Sequence, residues 1–257
     1  MALKSAAEVQ VKCGMDSGYY AAVTALVGRM QALDLTANNL ANANTAGFRA
    51  QREHFQSVLT EAGDGASSLS QAVNQYGMLS GSDVDLSQGE LQKTGGDLDL
   101  AVEGSGFFAV QTAQGLRYTR NGAFHADKSG MLVDAAGSQV EGQTGAIRMP
   151  AGPVSIGEDG TVAVNDAVVG KLKLLQPKQP GALVPAAGSQ FTANPADMKP
   201  VTDVHIRQGA LESANVTPVD GAIALVNLQR QAEMMQRVLS IFHSDFNNTA
   251  IQDVAKG

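Results

Sequence analysis

Residues Asp97–Val110 read DLDLAVEGSGFFAV. Leu98, Leu100 and Val102 alternate with Asp97, Asp99 and Ala101, the two-residue period of a half-buried strand, and Gly104 and Gly106 break the run into a sharp bend. Downstream, Asn121-Gly122 between RYTR and AFHA reads as a short hairpin. Lys128-Ser129-Gly130 and Ala136-Gly137 punctuate further strands, and valine-rich runs around Asp159-Gly160 continue the pattern to Leu175. The spacing predicts a β-domain over 97–176. The Gly/Ser-rich stretch 57–96 reads as a linker leading into it. Six of the eight prolines lie from Pro177 onward, so 177–216 reads as an irregular β-edge and return linker.

The grammar changes at both ends. Between Tyr19 and Asn42, Val23, Leu26, Met30, Leu33, Ala37 and Leu40 recur at alternating spacings of three and four, the seam of an amphipathic helix. Leu225, Leu228, Ala232, Met235, Leu239, Phe242 and Phe246 repeat the device, with Thr217 placed as N-cap and Pro218 at the first helical position. The expected fold class is α+β: N- and C-terminal α-helices forming a coiled-coil layer, with an all-β domain inserted between them. The helices span 15–56, including the exit from the first, and 217–257. Each buried seam residue contributes roughly 1.5–3 kcal/mol against backbone ordering of about 1–2 kcal/mol per residue, so two such helices are marginal alone. They are expected to be fixed by stacking on helices of neighbouring subunits. The expected assembly interface is Leu26, Met30, Leu33 and Leu40 on the first helix and Leu228, Met235, Leu239 and Phe242 on the last.

Composition narrows the rest. With 257 residues the chain can bury a sizeable core, and a formal net charge of −7 argues against nucleic acid and against an anionic membrane surface as partners. One cysteine, Cys13, excludes an internal disulfide and any cysteine-based zinc cluster. No run approaches the roughly 18 apolar residues of a membrane span, and no basic start with an apolar stretch marks a cleaved secretory signal.

No catalytic, cofactor or metal site is expected. His54, His125, His205 and His243 have no ligand spacing. Gly104-Ser105-Gly106 leads into a strand, so it opens neither the helix of a dinucleotide fingerprint nor a nucleophile elbow. Asp83, Asp85 and Glu90 lack the spacing of a calcium loop. Asp97 and Asp99 are expected on one solvated strand face, with no apolar pocket to shift either carboxyl.

Three stretches resemble a known family. Ala32–Arg49, ALDLTANNLANANTAGFR, resembles the N-terminal signature of flagellar rod and hook proteins, matching at Asn38, Asn39, Leu40, Ala41, Asn42, Thr45, Gly47 and Phe48. The central DLDLAVEGSGFFAV and RYTRNG are similar to that family's middle, carried by Gly104, Gly106, Phe107, Phe108, Tyr118, Thr119, Arg120, Asn121 and Gly122. GALESANV is similar to the lead into the closing helix, through Leu211, Glu212, Ser213, Asn215 and Val216. Short stretches around Gly47–Gln51 and Arg230–Met234 look more like the proximal rod type than the distal one. Because members of the family begin a few residues before the first helix, Met15 looks like a natural start and 1–14 an upstream extension. The resemblance implies a structural subunit of the bacterial flagellar basal-body rod. Its partners would be itself, other rod subunits and the flagellar type III export apparatus, which cleaves no signal. A hook-associated or adhesin-like binding module with coiled-coil helices is the alternative reading, but it needs an aromatic binding face, and the chain has no Trp.

Overall fold

The structure is a computed structural model and describes residues 2–56, 78–201 and 205–254. The chain divides into two units, one of Met1–Ala37, Glu53–Ser82 and Ala222–Gly257, the other of Asn38–Arg52 and Asp83–Gly221.

The first unit holds most of two long helices, α1 (Ala2–Ala41) and α2 (Pro218–Val254). Helix α1 starts well before the expected Tyr19, because Ala, Leu, Lys, Glu and Gln between positions 2 and 12 are all good helix formers. Thr217 caps α2: its Oγ1 accepts from the Asp220 amide at 3.1 Å and donates to the Asp220 carboxylate at 2.6 Å. Replacing Thr217 by alanine is expected to cost about 1 kcal/mol. Thermal unfolding of the variant checks this.

The second unit contains most of the strands. β1 (Gln51–Gln56) and β2 (Met78–Val84) form a two-stranded ribbon, and β3 (Leu91–Lys93) and β4 (Leu100–Glu103) follow. β5 (Phe107–Thr112), β6 (Gly115–Thr119), β7 (His125–Ala126), β8 (Leu132–Val133), β9 (Gln139–Gly142) and β10 (Gly145–Ala146) enter a ten-stranded sheet. β11 (Val154–Ile156), β12 (Thr161–Val164) and β13 (Ala167–Lys171) make a meander of their own. β14 (Leu174–Pro177), β15 (Val184–Pro185), β16 (Gln190–Thr192) and β17 (Met198–Pro200) return to the large sheet. Finally β18 (His205–Gln208) pairs antiparallel with β4, and β19 (Ala210–Glu212) with β3.

β5 explains the arrangement. Its FFAV run is buried on both faces, as befits a strand between two cores. Phe108 and Val110 point into one cluster with Leu100, Val102, Leu132, Val140 and Ile206; Phe107 and Ala109 point into the other with Tyr118, Leu183, Phe191 and Met198. Edge-on ring pairs fasten each side, Phe108 on Phe124 with centroids 5.0 Å apart and Phe107 on Phe191 at 5.8 Å. Such pairs are worth about 0.5–1.5 kcal/mol beyond the area they bury.

Three local expectations are corrected. Asn121-Gly122 is not a hairpin, since β6 pairs with β5 and β16 whereas β7 pairs with β8. There the chain turns a corner against β4: the Gly122 carbonyl accepts from the Leu100 amide at 3.0 Å, and a Cβ at Gly122 would lie 1.7 Å from the Leu100 carbonyl oxygen. Asp97 and Asp99 do not share a strand face. They belong to a turn before β4, in which Thr94 Oγ1 donates to Asp99 Oδ2 at 2.6 Å. The stretch 177–216 is more than a β-edge and return linker, because β15, β16, β17, β18 and β19 lie in it and Phe191, Met198 and Ile206 are core residues. Of the expected linker 57–96, residues 57–77 lie outside the described residues, while 78–96 hold all of β2 and β3.

Candidate functional site

The three sequence stretches quoted above meet in the second unit. The first enters from the end of α1. Asn42 Nδ2 donates to the Asn38 carbonyl at 2.9 Å, closing the last turn, and Thr45 N–H donates to the Asn42 carbonyl at 2.9 Å. Asn39 acts as a strand partner: its Oδ1 accepts from the Gln51 amide at 3.0 Å and its Nδ2 donates to the Gln51 carbonyl at 2.9 Å. Leu40 packs on Gly221 at the start of α2, where a Cβ would come within 3.2 Å of Leu40 Cδ1. Ala41 is exposed.

At Gly47 the chain runs directly against the second stretch. Its φ is +67°, and a Cβ there would sit 2.2 Å from the Asn121 amide nitrogen and 2.3 Å from the Arg120 carbonyl carbon. Only glycine fits. The Gly47 amide donates to the Glu212 carbonyl at 2.7 Å, which brings in the third stretch. Phe48, one residue on, is buried.

Between these backbones lies a charged node closed to water. Arg49, Arg120 and Glu212 are each no more than 1% exposed. Arg49 Nη2 donates to Glu212 Oε1 at 2.6 Å and Arg120 Nη1 to Glu212 Oε2 at 3.3 Å. Glu212 Oε1 also accepts from the Gly89 amide at 2.8 Å. Arg120 donates in addition to the carbonyls of Val102, at 3.1 Å, and Gly104, and its guanidinium lies 4.9 Å from the centre of the Phe107 ring. Two cations thus share one carboxylate. Arg49 Nε and Nη1 and Arg120 Nε have no hydrogen-bond partner. Burial pulls the Arg120 guanidinium down to about 10, with Glu212 opposing the fall and Arg49 adding to it. Removing the carboxylate would leave both guanidiniums buried and uncompensated, a loss of about 3–5 kcal/mol.

Asn215 completes the joint. Its Oδ1 accepts from the Ala50 amide at 2.7 Å, and its Nδ2 donates to the carbonyls of Asp85 at 3.0 Å and Ser87 at 3.1 Å. Tyr118 is buried, Thr119 Oγ1 donates to the Ser189 carbonyl at 3.0 Å, and Asn121 Oδ1 accepts from the Ala123 amide at 3.0 Å. Every one of these groups serves backbone or another side chain of the same unit.

The helix residues are placed differently. Leu26, Leu33 and Leu40 lie half-buried on the covered face of α1, where Ala32 is fully buried, whereas Met30 is 54% exposed. The covered face drifts from a strict heptad because an α-helix turns 3.6 residues rather than 3.5. On α2, Leu228, Met235 and Leu239 are half-buried beside the buried Ala232. The side chain of Phe242 lies outside the described residues. Opposite that face, Ile223, Val226, Met234, Val238 and Ile241 are exposed, so α2 is apolar on two sides.

Chemistry finds little to work with. Among the described residues no group of three or more His, Cys, Asp or Glu side chains could hold a metal ion, and no helix is long and apolar enough to cross a membrane. The rings of Phe107, Phe108, Tyr118, Phe124 and Phe191 are buried, so they make no aromatic binding face.

Three carboxyls of the second unit sit below their ordinary value of 3.8. For Asp85 burial pushes upward, but hydrogen bonds from Ser87 and the Arg52 guanidinium at 2.6 Å outweigh it. The Ser129 hydroxyl and the Met131 amide lower Asp127; Lys171 and Thr161 lower Asp159. Carboxyls held down in the folded state add stability above their unfolded pKa and lose it as pH falls through the folded one. The melting temperature is expected to stay level from about pH 7 to 5 and to fall below about pH 4. Calorimetry across that range checks it, and a fall already complete by pH 5 would contradict these assignments.

Comparison with known proteins decides the family. Residues 101–164 match the family described as flagellar hook protein FlgE/F/G D1 domain, and residues 20–49 the one described as flagella basal body rod protein. The flagellar basal-body rod protein FlgF of Caulobacter vibrioides is 35% identical over 248 residues, covering 94% of this chain and 99% of the relative. The chain belongs to the flagellar basal-body rod protein family. FlgF of Escherichia coli is 33% identical over 243 residues, 88% of this chain and 94% of the relative, and FlgG of Agrobacterium fabrum is 30% identical over 243 residues, 85% and 92%. The FlgF matches support a proximal rod protein, a structural subunit of the basal-body rod. The node therefore belongs to a rod-family fold, where it is a joint in the scaffold: the segments carrying Arg49, Gly89, Val102, Gly104, Arg120 and Glu212 all fasten to it.

Nothing in the local sequence marks Arg49 or Glu212 for its charge. A motif-borne arginine and a motif-borne glutamate, each preceded by a large apolar residue, Phe48 and Leu211, are the signal the sequence carries.

Proposed function

We propose that this rod-family subunit assembles, with copies of itself and with other rod proteins, into the helical shaft that carries torque from the motor to the hook. The observation that carries the reading is the second apolar face of α2, formed by Ile223, Val226, Met234, Val238 and Ile241, together with exposed Val27 and Met30 on α1. A face of this size left in water is a contact surface waiting for a partner helix. Leu26, Leu33, Leu40, Leu228, Met235, Leu239 and Phe242 form the inner seam of a coiled-coil layer, and Met30 lies with the outward-facing residues. Contacts of this heterologous kind do not close on themselves and so build a filament.

The role is structural, without catalysis. The subunit reaches the basal body through the flagellar type III export apparatus, uncleaved, and works in the rod that spans the periplasm. Neither nucleic acid nor a lipid bilayer is its partner. Basal bodies purified from cells producing an epitope-tagged chain are expected to contain it, in a fraction that survives detergent. Recovery of all the tagged chain in the soluble fraction, in cells that swim normally on it, would overturn the proposal.

A further inference from the structure

The ladders of the second unit fall into two classes. Pairs such as β5 with β6, β8 with β9, β11 with β12, and β12 with β13 join strands that are neighbours in sequence. The segment His205–Asn215 makes only distant ones. Through Glu212 it reaches Arg120 across 92 residues and Arg49 across 163. β18 supplies Ile206 to the core beside Leu100 and Val102, and Gln208 bonds to Asp97, Val154 and Ile156. Asn215 ties Ala50 to the loop at Asp85 and Ser87.

We propose that His205–Asn215 is the closing element of the second unit and that Glu212 is its latch. Loop-closure entropy makes the local hairpins form first and the distant pairings last. Until the segment arrives, Arg49 and Arg120 lack their carboxylate, and two guanidiniums of like charge are driven to stay in water rather than enter a dry core. Their sites stay wet and the two cores stay open. Arrival of Glu212 supplies the counter-charge, and the same segment lays β18 and β19 on β4 and β3. Final packing of the sheet is thereby made conditional on the last fifth of the chain. This inference concerns the order of folding and stands whether or not the rod assembly described above is right.

A latch that forms after the transition state governs unfolding and not folding. The test is stopped-flow folding and unfolding of the full chain in urea, followed by circular dichroism, for the wild type, Glu212→Gln, and the neutral triple variant Arg49→Met, Arg120→Met, Glu212→Gln. Glu212→Gln is expected to unfold on the order of a hundredfold faster and to refold within about threefold of the wild-type rate. The triple variant, which removes the stranded charges, is expected to regain most of the lost lifetime, to within about tenfold of wild type. If Glu212→Gln is too unstable to fold, Glu212→Asp, which keeps the charge but withdraws it, is expected to show the same split between the limbs. A slowed refolding limb with unchanged unfolding would place Glu212 in the nucleus and overturn the latch. Two unchanged limbs, or a triple variant no slower to unfold than Glu212→Gln, would overturn it as well.

Discussion

Gly47→Ala is expected to destabilise the second unit by more than about 3 kcal/mol, among the largest effects of any single methyl in this chain. Two costs add. The backbone sits at a φ of +67°, where a residue with a Cβ loses about 1–2 kcal/mol. The new Cβ would also stand 2.2–2.3 Å from backbone atoms of Asn121 and Arg120, which no rotamer change can relieve. The segments that must separate to make room are the ones holding Glu212 between its arginines, since the Gly47 amide itself bonds to the Glu212 carbonyl. Urea denaturation followed by near-ultraviolet circular dichroism measures the loss. Gly28, mid-way along α1 with nothing within 4 Å of its would-be Cβ, is the control, and Gly28→Ala is expected to be neutral or slightly stabilising. Equal effects at the two glycines would refute the contact argument.

Val238→Asp with Ile241→Asp is expected to act oppositely: no large change in the isolated chain, and loss of incorporation into the rod. Both side chains are exposed, at 40% and 59%, so a carboxylate there stays hydrated in the monomer. Against a neighbour's apolar helix the same carboxylate would be desolvated without a partner, at a cost of several kcal/mol per contact, repeated at every subunit. Melting temperatures of the purified variant and wild type are expected to agree within a few degrees, while cells carrying the variant do not swim. Leu239→Asp, on the half-buried face, is expected to lower both, which separates the outer face from the inner seam. Normal swimming by the double variant would show that this face of α2 bears no load.

What could be read from residues alone depended on the range of the interaction. FFAV after a glycine bend gave β5 because burial on both faces leaves a continuous apolar run, and Thr217-Pro218 gave the start of α2 because capping is settled within one turn. Asn121-Gly122 misled for the opposite reason. The dipeptide favours a tight hairpin locally, but the close approach of Leu100 from another strand decides the path there. Alternation likewise puts Asp99 on a strand face, whereas its amide hydrogen bond to the Gly96 carbonyl and the Thr94 hydroxyl hold it in a turn before β4. Arg49, Arg120 and Glu212 all lay inside stretches recognised by resemblance. That they form one ion cluster depends on pairings 92 and 163 residues apart, which no local pattern carries. The heptad stripe of α1 locates a helix, but which of its residues the single chain covers and which it leaves exposed, as it does Met30, depends on what packs against each face.

Electron microscopy of basal bodies from a strain lacking this gene, beside its parent, tests the central claim most directly. The rod, the hook and the filament are expected to be missing, and a copy of the gene supplied in trans is expected to restore them. Intact rods on swimming cells that lack the gene would contradict the account.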